Sequence, residues 1–125
     1  MNRTLSFSDQ DLLELLEQQT NEQVEEAPFG LVRMSREGVV VAYGKSESHI
    51  TGITKEYALG KYYFTQIAPC ANNRMIAAKY AQPSLDEELD YILTYICEPV
   101  KVRLRLLKSP ASRYQYFLVD RKSIA

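Results

Sequence analysis

Apolar positions along this chain switch between two periods. After Ser8-Asp9-Gln10-Asp11, the residues Leu12, Leu15 and Leu16 recur at helical spacing, and Ser8 offers that helix an N-cap hydroxyl. An acid-rich stretch from Thr20 to Glu26 follows, and Pro28 closes this N-terminal arm. From Phe29 the pattern turns to strand: Gly30–Met34, a turn at Ser35-Arg36-Glu37-Gly38, then Val39–Tyr43. This predicts a β-hairpin in which Gly38 supplies a backbone angle that other residues resist. Between Gly44 and Gln82, short helical patterns alternate with turns. Thr54 caps a helix over Lys55–Leu59 that Gly60 stops, and Asn72 or Asn73 caps another through Met75, Ile76 and Tyr80, terminated by Pro83. The last third predicts strands over Leu89–Cys97, Val100–Lys108 and Tyr114–Val119. In Val100–Leu106 apolar residues alternate strictly with Lys101, Arg103 and Arg105, so one sheet face is expected to be buried and the other, carrying those cations, to be wet.

Two strands, a helical insert and three more strands give an α+β order with a five-stranded antiparallel sheet, the insert lying between strands 2 and 3. Residues 1–27 are expected to form a helical cap on one sheet face, and 28–125 the core of what is one compact domain at 125 residues. A hydrophobic fraction of 46% and a charged fraction of 25% allow a core without disulfide or metal staples. Net charge is −1 and the basic residues do not gather into one tract, which argues against nucleic acid or an anionic membrane as partner. The longest apolar runs, such as Val39-Val40-Val41-Ala42, are too short to span a bilayer, and the polar start from Met1 to Gln10 is unlike a signal peptide. The expected location is the cytoplasm, where Cys70 and Cys97 are free thiols. Neither cysteine sits in a CxxC pair and His49 is the sole histidine, so no structural metal site is expected.

Three segments carry a further signal through their order and spacing. They are Ala27-Pro28-Phe29-Gly30, then Tyr43-Gly44-Lys45-Ser46-Glu47-Ser48-His49-Ile50-Thr51-Gly52, then Gly60-Lys61-Tyr62-Tyr63-Phe64-Thr65-Gln66-Ile67-Ala68-Pro69-Cys70. Together they resemble the photoactive yellow protein (xanthopsin) family of the PAS superfamily, with a weaker likeness from Asp90-Tyr91 through Tyr95 and at Pro99–Val102. The resemblance runs from about Phe29 to Arg121. It implies the PAS fold and a p-coumaric acid (4-hydroxycinnamic acid) joined to Cys70 as a thioester, its phenolate held by Tyr43 and Glu47 with Thr51 behind Tyr43. Ile53, Tyr63, Phe64, Pro69, Tyr95 and Cys97 complete the candidate chromophore pocket. The family commonly has an arginine lid where this chain has Ile53, which implies a more apolar or more open pocket on that side. It often has a methionine where this chain has Cys97, and slow dark recovery is the expectation.

The residue types suit that chemistry. Tyr43 ends a strand and Glu47 lies four residues on in a helical turn, so both side chains can face one cavity. A buried phenolate costs several kcal/mol even after relaxation, and donors to an anion form hydrogen bonds about twice as strong as neutral ones. Glu47 donates only when protonated, a state that burial beside a phenolate favours. After light isomerises the chromophore, Glu47 is expected to pass on its proton. The resulting buried carboxylate would partly unfold the domain, with the N-terminal arm released first. The chain is thus expected to be a bacterial blue-light photoreceptor, a monomer or weak dimer signalling to an unidentified downstream protein. No nucleophile–base–acid set, phosphate loop or metal cluster points to an enzyme. The alternative is a PAS interaction module that binds another ligand or none, or that responds to thiol oxidation.

Overall fold

The hairpin that Gly38 makes seeds the sheet. In the computed structural model, which describes residues 5–93 and 100–121, Gly38 takes φ 93° and its N–H donates to Ser35 O at 2.9 Å. The turn joins β1 (Gly30–Met34) to β2 (Val40–Tyr43). Three further strands, β3 (Leu85–Leu93), β4 (Val100–Lys108) and β5 (Gln115–Asp120), complete an antiparallel sheet in the order β2-β1-β5-β4-β3. β1 therefore lies inside the sheet between β2 and β5, and all five of its residues are buried. This is the expected α+β architecture, with the helical insert between β2 and β3.

That insert is short and irregular. It contains α3 (Lys45–Thr51), α4 (Lys55–Ala58), a π-helical turn at Tyr63–Ile67, and 3-10 turns at Pro69–Ala71 and Ala77–Ala81. Thr54 caps α4 by accepting from the Tyr57 N–H at 3.1 Å. Asn73 Oδ1 accepts from the N–H groups of Met75 and Ile76, but what it caps tightens into the 3-10 turn rather than a full helix. The insert packs Ala58, Tyr63, Ile67, Ala71 and Ile76 against Val32, Leu104, Leu106 and Phe117 of one sheet face.

The opposite face is covered by α1 (Leu12–Glu17) and α2 (Asn21–Glu25). Leu12, Leu16 and Val24 pack onto Leu31, Leu107, Tyr116 and Leu118. Ser8 does not cap α1; its hydroxyl bonds Glu88, and the residue at the N-cap is Asp11, whose side chain makes no capping hydrogen bond. α2 has a full capping box between Thr20 and Gln23.

Two other expectations are corrected. β3 begins at Leu85 rather than Leu89, because its acidic start meets arginines of β4: Asp86 pairs with Arg105, and Glu88 and Asp90 with Arg103. Nor is Arg105 on a wet face, for it is only 3% exposed. The cap covers it, and its guanidinium donates to the carbonyls of Phe7 and Asp9 while pairing with Asp86. Arg33 plays the matching part on β1. Its guanidinium donates to Tyr116 Oη, Asn21 Oδ1 and the carbonyls of Leu16 and Gln19, so the cap's chain ends are satisfied from beneath. No described helix is long and apolar enough to cross a membrane.

Candidate functional site

The turn from β2 into α3 sets the first half of the site. Tyr43 is the last residue of β2 and Glu47 lies in the first turn of α3; both are buried. Tyr43 Oη and Thr51 Oγ1 share a hydrogen bond of 3.0 Å, and Thr51 Oγ1 also accepts from the Ile53 N–H at 3.1 Å. Ser48 Oγ donates to Ile53 O at 2.6 Å and fixes the same loop from the other side. Burial pushes the Tyr43 phenol above its usual range, the neighbouring Glu47 pushes the same way, and the Thr51 bond opposes them. Tyr43 therefore keeps its O–H as a donor under all ordinary conditions.

Glu47 finds space through a missing side chain. A Cβ on Gly30 would lie 2.5 Å from Glu47 Oε1 and 3.1 Å from Val119 Cβ. The carboxyl group thus lies against the bare backbone of β1, beside β5. Glycine is needed here for close approach rather than for any unusual dihedral.

Cys70 supplies the second half. It lies half-buried in the turn Pro69–Ala71, is a free thiol, and packs against the insert-side core. That core also contains Tyr43 and Tyr63, with Ile53 and Phe64 packed on it. Tyr63 meets Phe64 edge-on at 5.0 Å between ring centres and Phe117 at 5.1 Å, so aromatic edges wall the region. Pro69 opens the turn and is exposed. Tyr95 and Cys97 lie outside the described residues.

The fold therefore brings Tyr43, Ile53, Tyr63, Phe64 and Cys70 to one core, with Thr51 joined through Tyr43 and Glu47 beside it. A phenol donor, a buried carboxyl held over a glycine and a free thiol suit a covalently held phenolic acid. Sequence reasoning singled out neither Gly30 as the cradle of Glu47 nor Tyr91, whose hydroxyl donates to Cys70 O at 3.0 Å. For Tyr91 a signal existed in its period-two spacing with Leu89 and Leu93, which put all three on the insert side. Among the described residues no group of three or more His, Cys, Asp or Glu side chains could hold a metal ion.

No protein-family model matches the chain. It is 22% identical over 121 residues to the photoactive yellow protein of Rhodothalassium salexigens, covering 94% of this chain and 97% of that one. It is 29% identical over 101 residues to that of Rhodobacter capsulatus, covering 78% and 82%. Among solved structures it matches the photoactive yellow protein domain of a sensor histidine kinase from Rhodospirillum centenum, with a TM-score of 0.75 at 22% identity over 86% of this chain and 97% of that one. A LOV protein of Rhodobacter sphaeroides matches with a TM-score of 0.60 at 16% identity over 79% of this chain and 63% of that one. The chain is thus similar in sequence, along most of its length, to photoactive yellow proteins, and it has the fold of a PAS domain.

Proposed function

We propose that this chain is a blue-light photoreceptor carrying p-coumaric acid as a thioester on Cys70. The observation that supports this most is the joint placement of the Tyr43–Thr51 pair, the fully buried Glu47 over Gly30, and the free Cys70 thiol on the same core. When bound, the p-coumaroyl group supplies a double bond that blue light isomerises and a phenolate that needs donors.

The chain's own residues do the rest. Thr51 takes the Ile53 N–H on its oxygen and turns its own O–H to Tyr43 Oη, which leaves the Tyr43 proton to point into the pocket. Tyr43 is a fixed donor, since burial and Glu47 both hold its proton on. Glu47 is the movable donor: its carboxyl would hold a proton in the dark and would give it to the phenolate oxygen after light. Its carboxylate would then stand buried over Gly30. A buried charge costs several kcal/mol, a large share of a stability of about 5–15 kcal/mol, so a part of the fold gives way and a downstream protein reads the change.

The test begins with the apoprotein and an activated p-coumaric ester. The Cys70 thiolate sulfur attacks the ester carbonyl; the sulfur–carbon bond forms and the leaving group departs with its electron pair. The expected product has one acyl adduct by intact mass and a visible band that blue light bleaches, both absent from Cys70→Ala. An unchanged mass and a colourless protein would leave a PAS module with another ligand or none.

A further inference from the structure

The turn that carries Cys70 leaves one carbonyl to a remote strand. Within residues 68–71, Ala68 O accepts from the Ala71 N–H, Pro69 O from Asn72 and Ala71 O from Asn73. Cys70 O has a different donor: the Tyr91 hydroxyl at 3.0 Å, from the edge strand β3. Asn73 Nδ2 donates in turn to Tyr91 Oη at 2.6 Å and reaches Cys70 O at 3.4 Å. Asn73 is itself fixed, because its Oδ1 holds the N–H groups of Met75 and Ile76. A directed chain thus runs from Asn73 through Tyr91 to the peptide plane at Cys70.

The geometry points to Tyr91 as the positioning residue for Cys70, its hydroxyl fixing the backbone from which the thiol is presented to an aromatic acyl donor. This rests on the photoreceptor reading above. A three-residue 3-10 turn has poor internal hydrogen bonding and would let that peptide plane rock. The Tyr91 bond ties it to a strand held along its length by nine residue pairs with β4. The Tyr91 ring packs against the same core as Cys70, so ring and hydroxyl make separable contributions. Small displacements of a reacting atom carry large rate penalties, and one fixed hydrogen bond commonly accounts for about tenfold.

Tyr91→Phe removes the hydroxyl and keeps the ring. Two readings on the full chain test the role. In the first, with cysteine carbonyls labelled with carbon-13 and no chromophore, the infrared band lost in Cys70→Ala moves to higher wavenumber in Tyr91→Phe. In the second, the rate at which activated p-coumaric ester acylates Cys70, followed by intact mass and peptide mapping, falls about tenfold while the circular dichroism spectrum is unchanged. An unmoved carbonyl band overturns the proposal. So does a lower melting temperature with an equal or faster acylation rate, the mark of a merely structural residue. If the parent chain takes no acyl group while the band still moves, the photoreceptor reading fails and this role fails with it, whereas equal acylation of both proteins sinks the positioning role alone. Should Tyr91→Phe not fold, Asn73→Asp carries the same test: it keeps the oxygen that holds Met75 and Ile76 and draws the Tyr91 hydroxyl away from Cys70.

Discussion

Replacing Gly30 with alanine tests the contact on which the proposed proton chemistry depends. The new Cβ would stand 2.5 Å from Glu47 Oε1, 3.1 Å from Val119 Cβ and 3.2 Å from Val119 O, all inside the ordinary contact distance of about 3.5–4.0 Å. Val119 cannot yield easily, because it pairs with Gly30 in the ladder between β1 and β5. Glu47 is fully buried, so its carboxyl has no solvent to swing into. Overpacking of this kind costs about 1–3 kcal/mol. Losing glycine's extra freedom in the unfolded chain returns about 0.5–1 kcal/mol, which leaves a net destabilisation of about 1–2 kcal/mol. Urea unfolding measures it as a lower midpoint at constant slope. The decisive comparison is the same substitution in a Glu47→Ala background, where the closest clash is gone. There Gly30→Ala should cost under about 0.5 kcal/mol, and the coupling between the two sites should reach about 1 kcal/mol. If the two changes add to within about 0.5 kcal/mol, the Glu47 carboxyl does not lie over Gly30 and the account of its burial is wrong.

Two further outcomes follow from the buried polar groups. Arg33→Met removes four donated bonds that join β1 to Tyr116, Asn21 and the carbonyls of Leu16 and Gln19. With bonds to a charged group contributing about 1.5–3 kcal/mol, the expected cost is about 3 kcal/mol. Hydrogen exchange should show it in α1 and α2 before the sheet, and equal loss of protection throughout would contradict a cap-specific clamp. Burial raises the phenols of Tyr43, Tyr80 and Tyr116, and at Tyr116 the bond to Glu17 adds to it. Their folded values stand above the unfolded value of about 10, so the contribution is full below that pH and is lost as pH climbs through the folded values. Urea titrations from about pH 8 to pH 11.5 should show stability falling above about pH 10, with a shallower fall in Tyr43→Phe; a flat profile refutes it.

What could be read from the sequence was what neighbouring residues decide among themselves. The alternation in β4, the short apolar runs of β1, β2 and β5 and the turn glycine Gly38 marked most of the sheet, because such runs between turn residues read as strands before any distant element takes part. Tyr43, Glu47 and Thr51 were marked by the family resemblance, and their spacing agrees with it: four and eight residues along one β2–α3 connection bring them near one another without help from a distant element. The start of β3 was not, since Leu85-Asp86-Glu87-Glu88 reads as an acidic loop until Arg103 and Arg105 of the neighbouring strand neutralise it. Arg105 shows the limit most plainly. Its alternation says which face it takes but not what lies above that face, and there the carbonyls of Phe7 and Asp9 turn a solvent position into a buried one. Gly30 beneath Glu47 and Tyr91 on Cys70 are of the same kind. Each joins elements brought together only by the closed sheet, so local spacing of the kind that relates Tyr43 to Glu47 could reveal neither of them.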